Sequence, residues 1–372
     1  MIDYLQIENF KSLRKVSLPL GRLSLFFGMN GMGKSSVLQA LLLLRQSYWW
    51  GGAHNLERLR INAGLVKLGS VSDILCQNAD KEELRFYIKS DDGTVLDVRF
   101  LADDTSGQPA VLSRRHGAIA TWDDIYDQTL FGLNSLYYLG ANHVGPETNY
   151  DYSGWDGEVA DSLGPDGRYV VPFLASNGSS FEVPPELRHP GSQSAYLIDQ
   201  ASAWMSEISP GVRLSATAFP SRLSAELRVR YDAEMLMTDD IKPVNVGFGI
   251  PYALPTIVEL LVANPGDLVI LENPESHLHP KGQVAIARLM ARVAAHGVQV
   301  VCESHSDHVI NGVRLAVKQG VLDPGDLLVS YFDKDAYQDT HIHHLEVDSK
   351  GALSSYPDGL LDEWGVLMAQ LI

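Results

Sequence analysis

Residues 28–35 combine glycine, lysine and serine in a pattern suited to binding phosphate groups. They read GMNGMGKS, which matches GxxxxGK[ST]. Glycines let the backbone turn so that successive N–H groups point at phosphate oxygens, and the helix that follows adds its N-terminal dipole. Lys34 can place a positive charge against the β- and γ-phosphates. A strand-like run precedes the pattern and a helix-like run follows it, so we predict a phosphate loop and not a chance glycine turn. Its expected binding residues are Asn30, Gly31, Met32, Gly33, Lys34, Ser35 and Ser36.

A second pattern could supply the acidic group that a phosphate loop needs to hold a metal ion. Residues 267–280 read DLVILENPESHLHP. The four apolar residues predict a buried strand with Glu272 at its C-terminal tip, where ligands gather in parallel sheets. We therefore predict that Ser35 and Glu272 bind Mg²⁺. The alternative is a structural strand followed by an acidic helix N-terminus.

The elements around these two patterns differ between the two ends of the chain. Early runs of alternating apolar and polar residues predict antiparallel strands, and Asp92-Gly93 predicts a hairpin turn. The Leu-rich segment 34–46 predicts a helix that is buried on most faces. After residue 237 strands alternate with helices, which indicates a parallel sheet. Residues 103–190 are rich in Gly, Asp and Pro, and we expect irregular structure there.

Charge and composition restrict the function classes. The 372 residues include 29 basic and 46 acidic side chains, a formal charge of −17, which argues against a surface that binds nucleic acid unaided. Two cysteines are no disulfide framework. The N-terminus lacks the features of a secretory signal, and no segment approaches the roughly 20 apolar residues that span a bilayer. We expect a soluble, cytoplasmic protein of about two domains.

Several segments together resemble the OLD-like (overcoming-lysogenisation-defect) ATPases, which share an ABC-type head with the SMC and RecF-like ATPases. The resemblance covers residues 1–75 and 240–372. It implies an α/β fold, namely a P-loop NTPase of the ABC-type ATPase head with an N-terminal antiparallel β lobe and a parallel-sheet core. The segments are LQIENFKSLRKVSL, LFFGMNGMGKSSVLQALLLL, VNVGFGIPYALPTIVELL, ILENPESHLHP, VCESHSDHVINGVR and YPDGLLDEW.

The same resemblance divides the chain into three regions. Residues 1–110 would form an ATPase lobe with the phosphate loop, and residues 111–240 a variable insert of β and helical structure. Residues 241–372 would form the second ATPase lobe, with the signature loop, the Walker B strand, the switch histidine and a C-terminal cap.

The resemblance also implies roles for single residues, with ATP as the nucleotide. Lys34 and Ser35 would bind phosphates and Mg²⁺, Glu272 would take the metal-side place of Walker B, and His305 would reach the γ-phosphate as the switch histidine. A signature loop would cap the ATP of a second subunit, which implies a homodimer or a higher homo-oligomer. The signature loop would contain Asn245, Gly247 and Gly249. The residues expected near the base of the bound nucleotide are Phe10, Lys11 and Ser12.

Asn273 stands where many relatives have the catalytic glutamate. A carboxylate can accept a proton from attacking water, whereas an amide can only orient that water. Glu275 could substitute as the base, or the protein could hold ATP and hydrolyse it slowly. We therefore expect an ATPase of low turnover.

The preferred function is an ATPase subunit that controls a separate effector protein, such as a nuclease or toxin, in prokaryotic antiviral defence. The stretch after residue 319 is too short for the Toprim nuclease module of full OLD proteins, which places effector chemistry on another chain. One alternative is a DNA-maintenance ATPase of RecF or SMC type, with DNA as a partner that the net charge does not favour. Another is a non-catalytic scaffold or sensor, for which Asn273 is the supporting feature.

A few other residues invite functional interpretations that the sequence leaves open. The histidines at 277 and 279, and at 341, 343 and 344, could bind zinc, but no further carboxylate or cysteine falls at ligand spacing. Trp49 and Trp50 could anchor a partner, although a packing role is favoured. The pairs Asp103-Asp104 and Asp123-Asp124 read as solvated surface.

Overall fold

The structure is a computed structural model. It describes residues 1–48, 58–77, 79–103, 110–115, 136–151, 163–233, 236–357, 359–361 and 363–371. Trp49, Trp50, Asp104 and the pair Asp123-Asp124 lie outside these residues.

The described residues form strands and helices along the whole chain. The strands are β1 (Ile2–Phe10), β2 (Leu13–Pro19), β3 (Leu23–Phe27), β4 (Glu83–Ser90), β5 (Val95–Asp103), β6 (Ala110–Arg115), β7 (Leu136–Leu139), β8 (Tyr150–Asp151), β9 (Val212–Phe219), β10 (Ser224–Ala233), β11 (Leu236–Met237), β12 (Leu268–Glu272), β13 (Gln299–Glu303), β14 (Leu327–Lys334) and β15 (Thr340–Leu345). The α-helices are α1 (Lys34–Tyr48), α2 (Val71–Ile74), α3 (Val170–Asn177), α4 (Leu197–Ile208), α5 (Gly249–Val262), α6 (Pro280–Ala295), α7 (Asp307–Lys318) and α8 (Glu363–Leu371). Short 3₁₀ turns occupy Pro185–Leu187, Pro220–Arg222, Pro243–Asn245 and Pro324–Asp326.

The chain divides into two compact units. The first unit comprises Met1–Asn134, Leu327–Asp348 and Ala352–Ile372, and the second comprises Ser135–Asp326 and Ser349–Gly351. Each unit is defined by the contacts between its segments, which are not continuous in the sequence. The three regions 1–110, 111–240 and 241–372 stay a prediction.

The first unit contains an antiparallel sheet with the strand order β2-β1-β4-β5-β6. Alternating residues give each strand a buried face, and the rings of Phe10, Phe86 and Phe100 pack against one another at centroid distances of 5.8 and 6.1 Å. In the same unit β14 pairs in parallel with β3 and antiparallel with β15. The first unit therefore holds the predicted antiparallel β lobe together with the strand that leads into the phosphate loop.

The second unit contains parallel strands, with β12 lying between β7 and β13. The apolar residues 268–271 are all buried, as expected for a parallel strand that is covered on both faces. Helix α7 begins at an effective cap, because the Ser306 hydroxyl accepts from the backbone N–H groups of His308 and Val309. A separate antiparallel pair, β9 and β10, lies in the same unit.

The expectation of irregular structure over residues 103–190 is wrong in part. Strands β6 and β7 and helix α3 fall in this range, and β7 is a core strand of the second unit. The reason is its length: LYYL offers only four apolar residues, too few to show a period. Strand β3, helix α1 and the hairpin at Asp92-Gly93 match the sequence prediction, and Gly93 has the left-handed φ of 89° that this turn needs.

Candidate functional site

The phosphate loop connects β3 to α1 in the first unit, as the sequence predicts. Gly28, Gly31 and Gly33 have φ values of 134°, 79° and 105°, a region that residues with a side chain rarely adopt. A Cβ on Gly28 would lie 2.3 Å from the backbone oxygen of Phe332, whereas a Cβ on Gly31 would meet nothing within 4 Å. The loop is therefore closely packed at its base and open at its tip, which fits the approach of a phosphate group to backbone N–H donors.

The Lys34 side chain is buried inside this loop. Only 2% of the residue is exposed, and Nζ donates to the backbone oxygens of Gly28 and Met29, each at 2.8 Å. The ammonium group thus lies within the turn that the glycines create. Because Lys34 starts α1, its charge and the helix dipole both favour an anion at this place.

Thr340, at the start of β15, connects the phosphate loop to the turn between β1 and β2. Its hydroxyl lies 3.0 Å from the Met32 oxygen and 3.0 Å from the Ser12 hydroxyl. In the same turn Lys11 Nζ donates to Gln39 of α1 at 2.6 Å, and burial lowers the Lys11 pKa. Ser12 and Lys11 are thus held beside the phosphate loop and α1, while Phe10 is fully buried in the β lobe. Their role at the base of the nucleotide stays a prediction.

A cavity of about 330 Å³ opens beside Lys11 and Ser12 within the first unit. Asp73 and Cys76 contribute one wall, and Tyr337 in the turn between β14 and β15 contributes another. Tyr337 is 77% exposed, so its aromatic face is accessible to a planar group. The cavity is polar and carries both positive and negative side chains.

Glu272 lies at the C-terminal tip of β12 in the second unit, where the sequence places it. Tyr138 of β7 donates its hydroxyl proton to Glu272 Oε1 at 3.0 Å. Burial, together with the charge of Glu303 on the next strand, raises the Glu272 pKa to about 7. A divalent cation would favour the ionised form of this carboxylate, and oxygen ligands of this kind suit Mg²⁺. Ser35, the other predicted ligand, lies in the first unit, and the shared metal site stays a prediction.

Asn273 follows β12 with the left-handed φ of 50°, a conformation that asparagine tolerates better than most residues. Its backbone N–H donates to the oxygen of Glu303 at 2.8 Å, which ties it to the end of β13. Within the described residues its side-chain Oδ1 is buried and has no hydrogen-bond partner. The amide therefore follows the predicted Walker B acid, and its side-chain oxygen accepts no hydrogen bond from the part of the chain that the structure describes.

Glu275 and His305 are joined directly. Glu275 is buried, and its Oε1 accepts from the backbone N–H of His305 at 2.8 Å. Burial raises the Glu275 pKa, and the bond from His305 partly offsets this effect. The imidazole Nε2 of His305 lies 4.0 Å from Glu303 Oε1. The structure thus brings together Glu272, Asn273, Glu275 and His305, while their catalytic roles stay predictions.

The predicted signature loop precedes α5 in the second unit. Asn245 and Gly247 are exposed, and a Cβ on Gly247 would meet nothing within 4 Å. A Cβ on Gly249 would lie 3.0 Å from the backbone oxygen of His277, so this glycine allows the loop to pack on the segment after β12. The rings of Phe248 and His277 also pack against each other, with their centroids 4.8 Å apart.

Three residues of these sites were missed by sequence reasoning. Tyr138 lies on the unrecognised strand β7, and Thr340 is 308 residues from the loop that it contacts. Glu303 lies in the segment VCESHSDHVINGVR, in which the resemblance implies a role for His305 only. Of the histidines considered for zinc, His341 pairs with Asp335 at 3.1 Å and His343 with Asp333 at 2.9 Å.

Three family models match parts of the chain. An "AAA ATPase domain" covers residues 1–117, and an "AAA domain, putative AbiEii toxin, Type IV TA system" covers residues 194–311. The third, described as "Protein of unknown function (DUF3696)", covers residues 322–371. The first two are models of AAA domains, and they cover the phosphate loop and the predicted Walker B segment respectively.

Curated relatives match over shorter stretches. The OLD nuclease of Thermus scotoductus is 41% identical over 49 residues, which are 13% of this chain and 9% of that protein. The DNA replication and repair protein RecF of Thermoanaerobacter sp. is 27% identical over 102 residues, 26% of each chain. This chain therefore covers about a quarter or less of the length of these relatives.

Solved structures match over nearly the whole chain. An SMC head bound to the C-winged helix domain of ScpA has a TM-score of 0.52 at 14% identity, covering 93% of this chain and 98% of the other. An SMC head with an extended coiled coil, bound to the C-terminal domain of ScpA from Pyrococcus furiosus, has a TM-score of 0.51 at 13% identity, covering 100% and 99%. The chain thus has the fold of an SMC-type ATPase head, and residues 1–117 and 194–311 match models of AAA domains. The resemblance to OLD-like and RecF-like ATPase heads and the predicted fold class are confirmed.

The structure also bears on membranes. Within the described ranges, no helix combines the length and the apolar character needed to cross a bilayer.

Proposed function

We propose that the protein binds ATP with Mg²⁺ through residues 28–36 and works as an ABC-type ATPase subunit. The observation that carries this proposal is the phosphate loop, in which three left-handed glycines surround a buried lysine at the start of a helix. Phosphates would bind to the backbone N–H groups and to Lys34, with Ser35 and Glu272 on the metal. The cavity beside Lys11 and Ser12 would take the nucleoside, with Tyr337 against the base.

Equilibrium binding of ATP to the full chain tests this proposal. Lys34→Ala should abolish measurable binding, because the backbone N–H groups alone do not balance the charge of a triphosphate. Lys318→Ala is the matched control, since this exposed lysine lies in the last turn of α7. Unchanged affinity in Lys34→Ala would overturn the assignment.

ATP should also drive assembly through the signature loop. Gly247 is exposed and has open space around it, and the neighbouring Val244 and Phe248 are 43% and 46% exposed. Gly247→Arg should weaken ATP-dependent dimers without disturbing the fold, whereas Gly249→Arg would also strain the packing on His277. Light scattering with saturating ATP and Mg²⁺ decides the point: a monomer under those conditions contradicts the proposal.

The effector is the least constrained part of the function. The matching family model is described as a putative AbiEii toxin of a type IV toxin–antitoxin system, and one relative is an OLD nuclease. These descriptions support the proposed role in prokaryotic antiviral defence. That the damaging activity resides on a separate protein is our proposal and has no support from the two descriptions. Purification from the native host should recover one stoichiometric partner with nuclease or toxin activity.

The RecF match supports the alternative of a DNA-maintenance ATPase. The charge of −17 does not favour DNA binding. Electrophoretic mobility shifts with duplex DNA, with and without ATP, separate the two functions: ATP-dependent binding at physiological salt would favour the alternative.

A further inference from the structure

Strand β9 is an edge strand, because among the described strands it pairs with β10 alone. In an antiparallel pair, successive residues direct their backbone groups alternately towards the partner strand and away from it. Val229 of β10 exchanges both of its backbone bonds with Ile241, on the side away from β9, so its partner Leu214 also points away from the pair. The even-numbered residues of β9 therefore direct their N–H and C=O groups to the open edge.

Helix α4 covers only the first half of this open edge. The Leu214 N–H donates to the Ser202 hydroxyl at 2.9 Å, and the Ser206 hydroxyl donates at 3.2 Å to the backbone oxygen two residues before Leu214. Ala216 and Ala218 follow with the same orientation, and in the part of the chain that the structure describes no such cap reaches them. Both alanines are partly exposed. Their backbone groups are thus available to a further strand, which is the property that makes an edge a template for strand addition.

The turn that follows β9 presents apolar and cationic side chains at the end of this edge. Leu223 is 52% exposed and has a left-handed φ of 46°, which a bulky residue adopts at a cost in free energy. The exposed Arg222 lies over the Phe219 ring, 5.9 Å from its centroid. Arginine and aromatic side chains are enriched where proteins bind one another. The open edge therefore continues into a turn whose composition suits a protein interface.

The outward side chains of β9, β10 and their turn carry an excess of positive charge, in a chain whose formal charge is −17. Asp232 forms ion pairs with Arg213 and Arg230, at 3.2 and 3.3 Å, and Glu226 pairs with an arginine of its own strand. Four arginines thus face two acids, and two positive charges remain. A strand added to β9 would lay alternate side chains beside this face, where acidic residues fit best. The four arginines are Arg213, Arg222, Arg228 and Arg230.

We propose that the open edge of β9 binds an extended, acidic segment of another protein as an additional strand. Backbone bonds to Ala216 and Ala218 hold the segment, and its acidic side chains face Arg213 and Arg222. A nucleic acid lacks the amide backbone that matches this edge. A second copy of the chain fits less well, because two β9 strands paired antiparallel about Thr217 would bring Arg213 of each copy to the turn that carries Arg222 of the other. The inference does not depend on nucleotide binding.

Titration of the full chain with two capped peptides, followed by fluorescence anisotropy, tests the charge. One peptide alternates valine with glutamate, and the other alternates valine with lysine. The glutamate peptide should bind about tenfold more tightly, and Arg222→Glu should weaken it by about fivefold while strengthening the lysine peptide. Arg288→Glu, at an exposed arginine on α6 of the same unit, is the matched control and should change neither affinity. Equal affinities for the two peptides, or no effect of Arg222→Glu, would overturn the inference.

Hydrogen exchange, followed residue by residue by NMR, tests the backbone. In the free protein the amides of Ala216 and Ala218 should exchange faster than that of Thr217, which points to β10, and the glutamate peptide should slow both by about tenfold or more. Ala218→Pro removes an N–H from the open edge but none from the ladder to β10, and should abolish measurable binding. Slow exchange of both alanines without peptide, or peptide binding that survives Ala218→Pro, would refute strand addition. Self-association that Ala218→Pro removes would assign the edge to a second copy and would equally overturn the inference.

Discussion

Replacing Glu259 by glutamine should make the stability of the protein less sensitive to rising pH. Glu259 lies on α5 with no exposed surface, and neither carboxylate oxygen has a hydrogen-bond partner within the described residues. Burial without a partner disfavours the charged form, so the Glu259 pKa is raised well above its ordinary value. The folded protein therefore keeps a proton on this side chain that the unfolded chain releases.

The sign and the size of the effect follow from proton linkage. In the unfolded chain the carboxyl group ionises near a pH of about 4.3. Below that pH the side chain is protonated in both the folded and the unfolded state, so it does not change the free energy of unfolding. Between that value and the folded pKa, the folded state binds more protons, and the free energy of unfolding falls as pH rises. The loss is about 1.4 kcal/mol for each pH unit in this window. Glutamine does not ionise, so the variant does not lose this stability. Its free energy of unfolding should therefore rise relative to that of the wild type by about 1.4 kcal/mol for each pH unit in this window.

Urea unfolding at pH 5, 6, 7 and 8 measures this difference. Glu82→Gln, at an exposed position, is the control and should track the wild type at every pH. A difference between Glu259→Gln and the wild type that is constant with pH, or that shrinks as pH rises, would refute the reasoning about a protonated buried carboxyl.

Further predictions concern the phosphate loop and the chemistry. Gly28→Ala should destabilise the protein by several kcal/mol in urea unfolding, since its Cβ would meet a backbone oxygen at 2.3 Å; Gly93→Ala, which meets nothing within 4 Å, should cost only about 1–2 kcal/mol of left-handed strain. Thr340→Val should weaken ATP binding, measured by calorimetry, by about fivefold. The variant loses the hydroxyl that contacts Met32 and Ser12, and such a hydrogen bond contributes about 1 kcal/mol. An unchanged Kd would contradict this prediction. Asn273→Asp should raise the rate of phosphate release, because it adds a carboxylate at a left-handed position that aspartate also tolerates; a slower variant would count against a missing base.

The sequence predicts those parts of the site that depend on local patterns. The phosphate loop needs glycines at fixed offsets before a helix, and the Walker B strand needs a short apolar run that ends in an acid, so both can be read from neighbouring residues. Contacts between distant segments carry no such pattern. Thr340 contacts Met32 across 308 residues, and Tyr138 contacts Glu272 across 134.

Residue environment is the other property that the sequence conceals. The sequence makes Glu275 a candidate base because it is a carboxylate near the predicted metal-side acid, and this role stays a prediction. Only the structure shows that one of its oxygens accepts from the backbone of His305 and that the other is buried without a hydrogen-bond partner within the described residues. Glu259 stands in a helical segment that was identified, yet only its burial shows that its charge is disfavoured. Burial and hydrogen bonding depend on packing between elements, which motif spacing does not specify.

The central claim is that the chain binds ATP and turns it over slowly. The direct measurement mixes the full-length wild type with excess ATP and Mg²⁺, quenches samples over several minutes, and counts ADP per chain alongside the ATP that stays bound. Loss of a positioned general base typically costs about 10²–10⁴-fold in rate. The account predicts retained ATP and on the order of one ADP per chain per minute or less, against the usual range of about 1–10³ per second. Several turnovers per second, or no retained nucleotide at all, would contradict it.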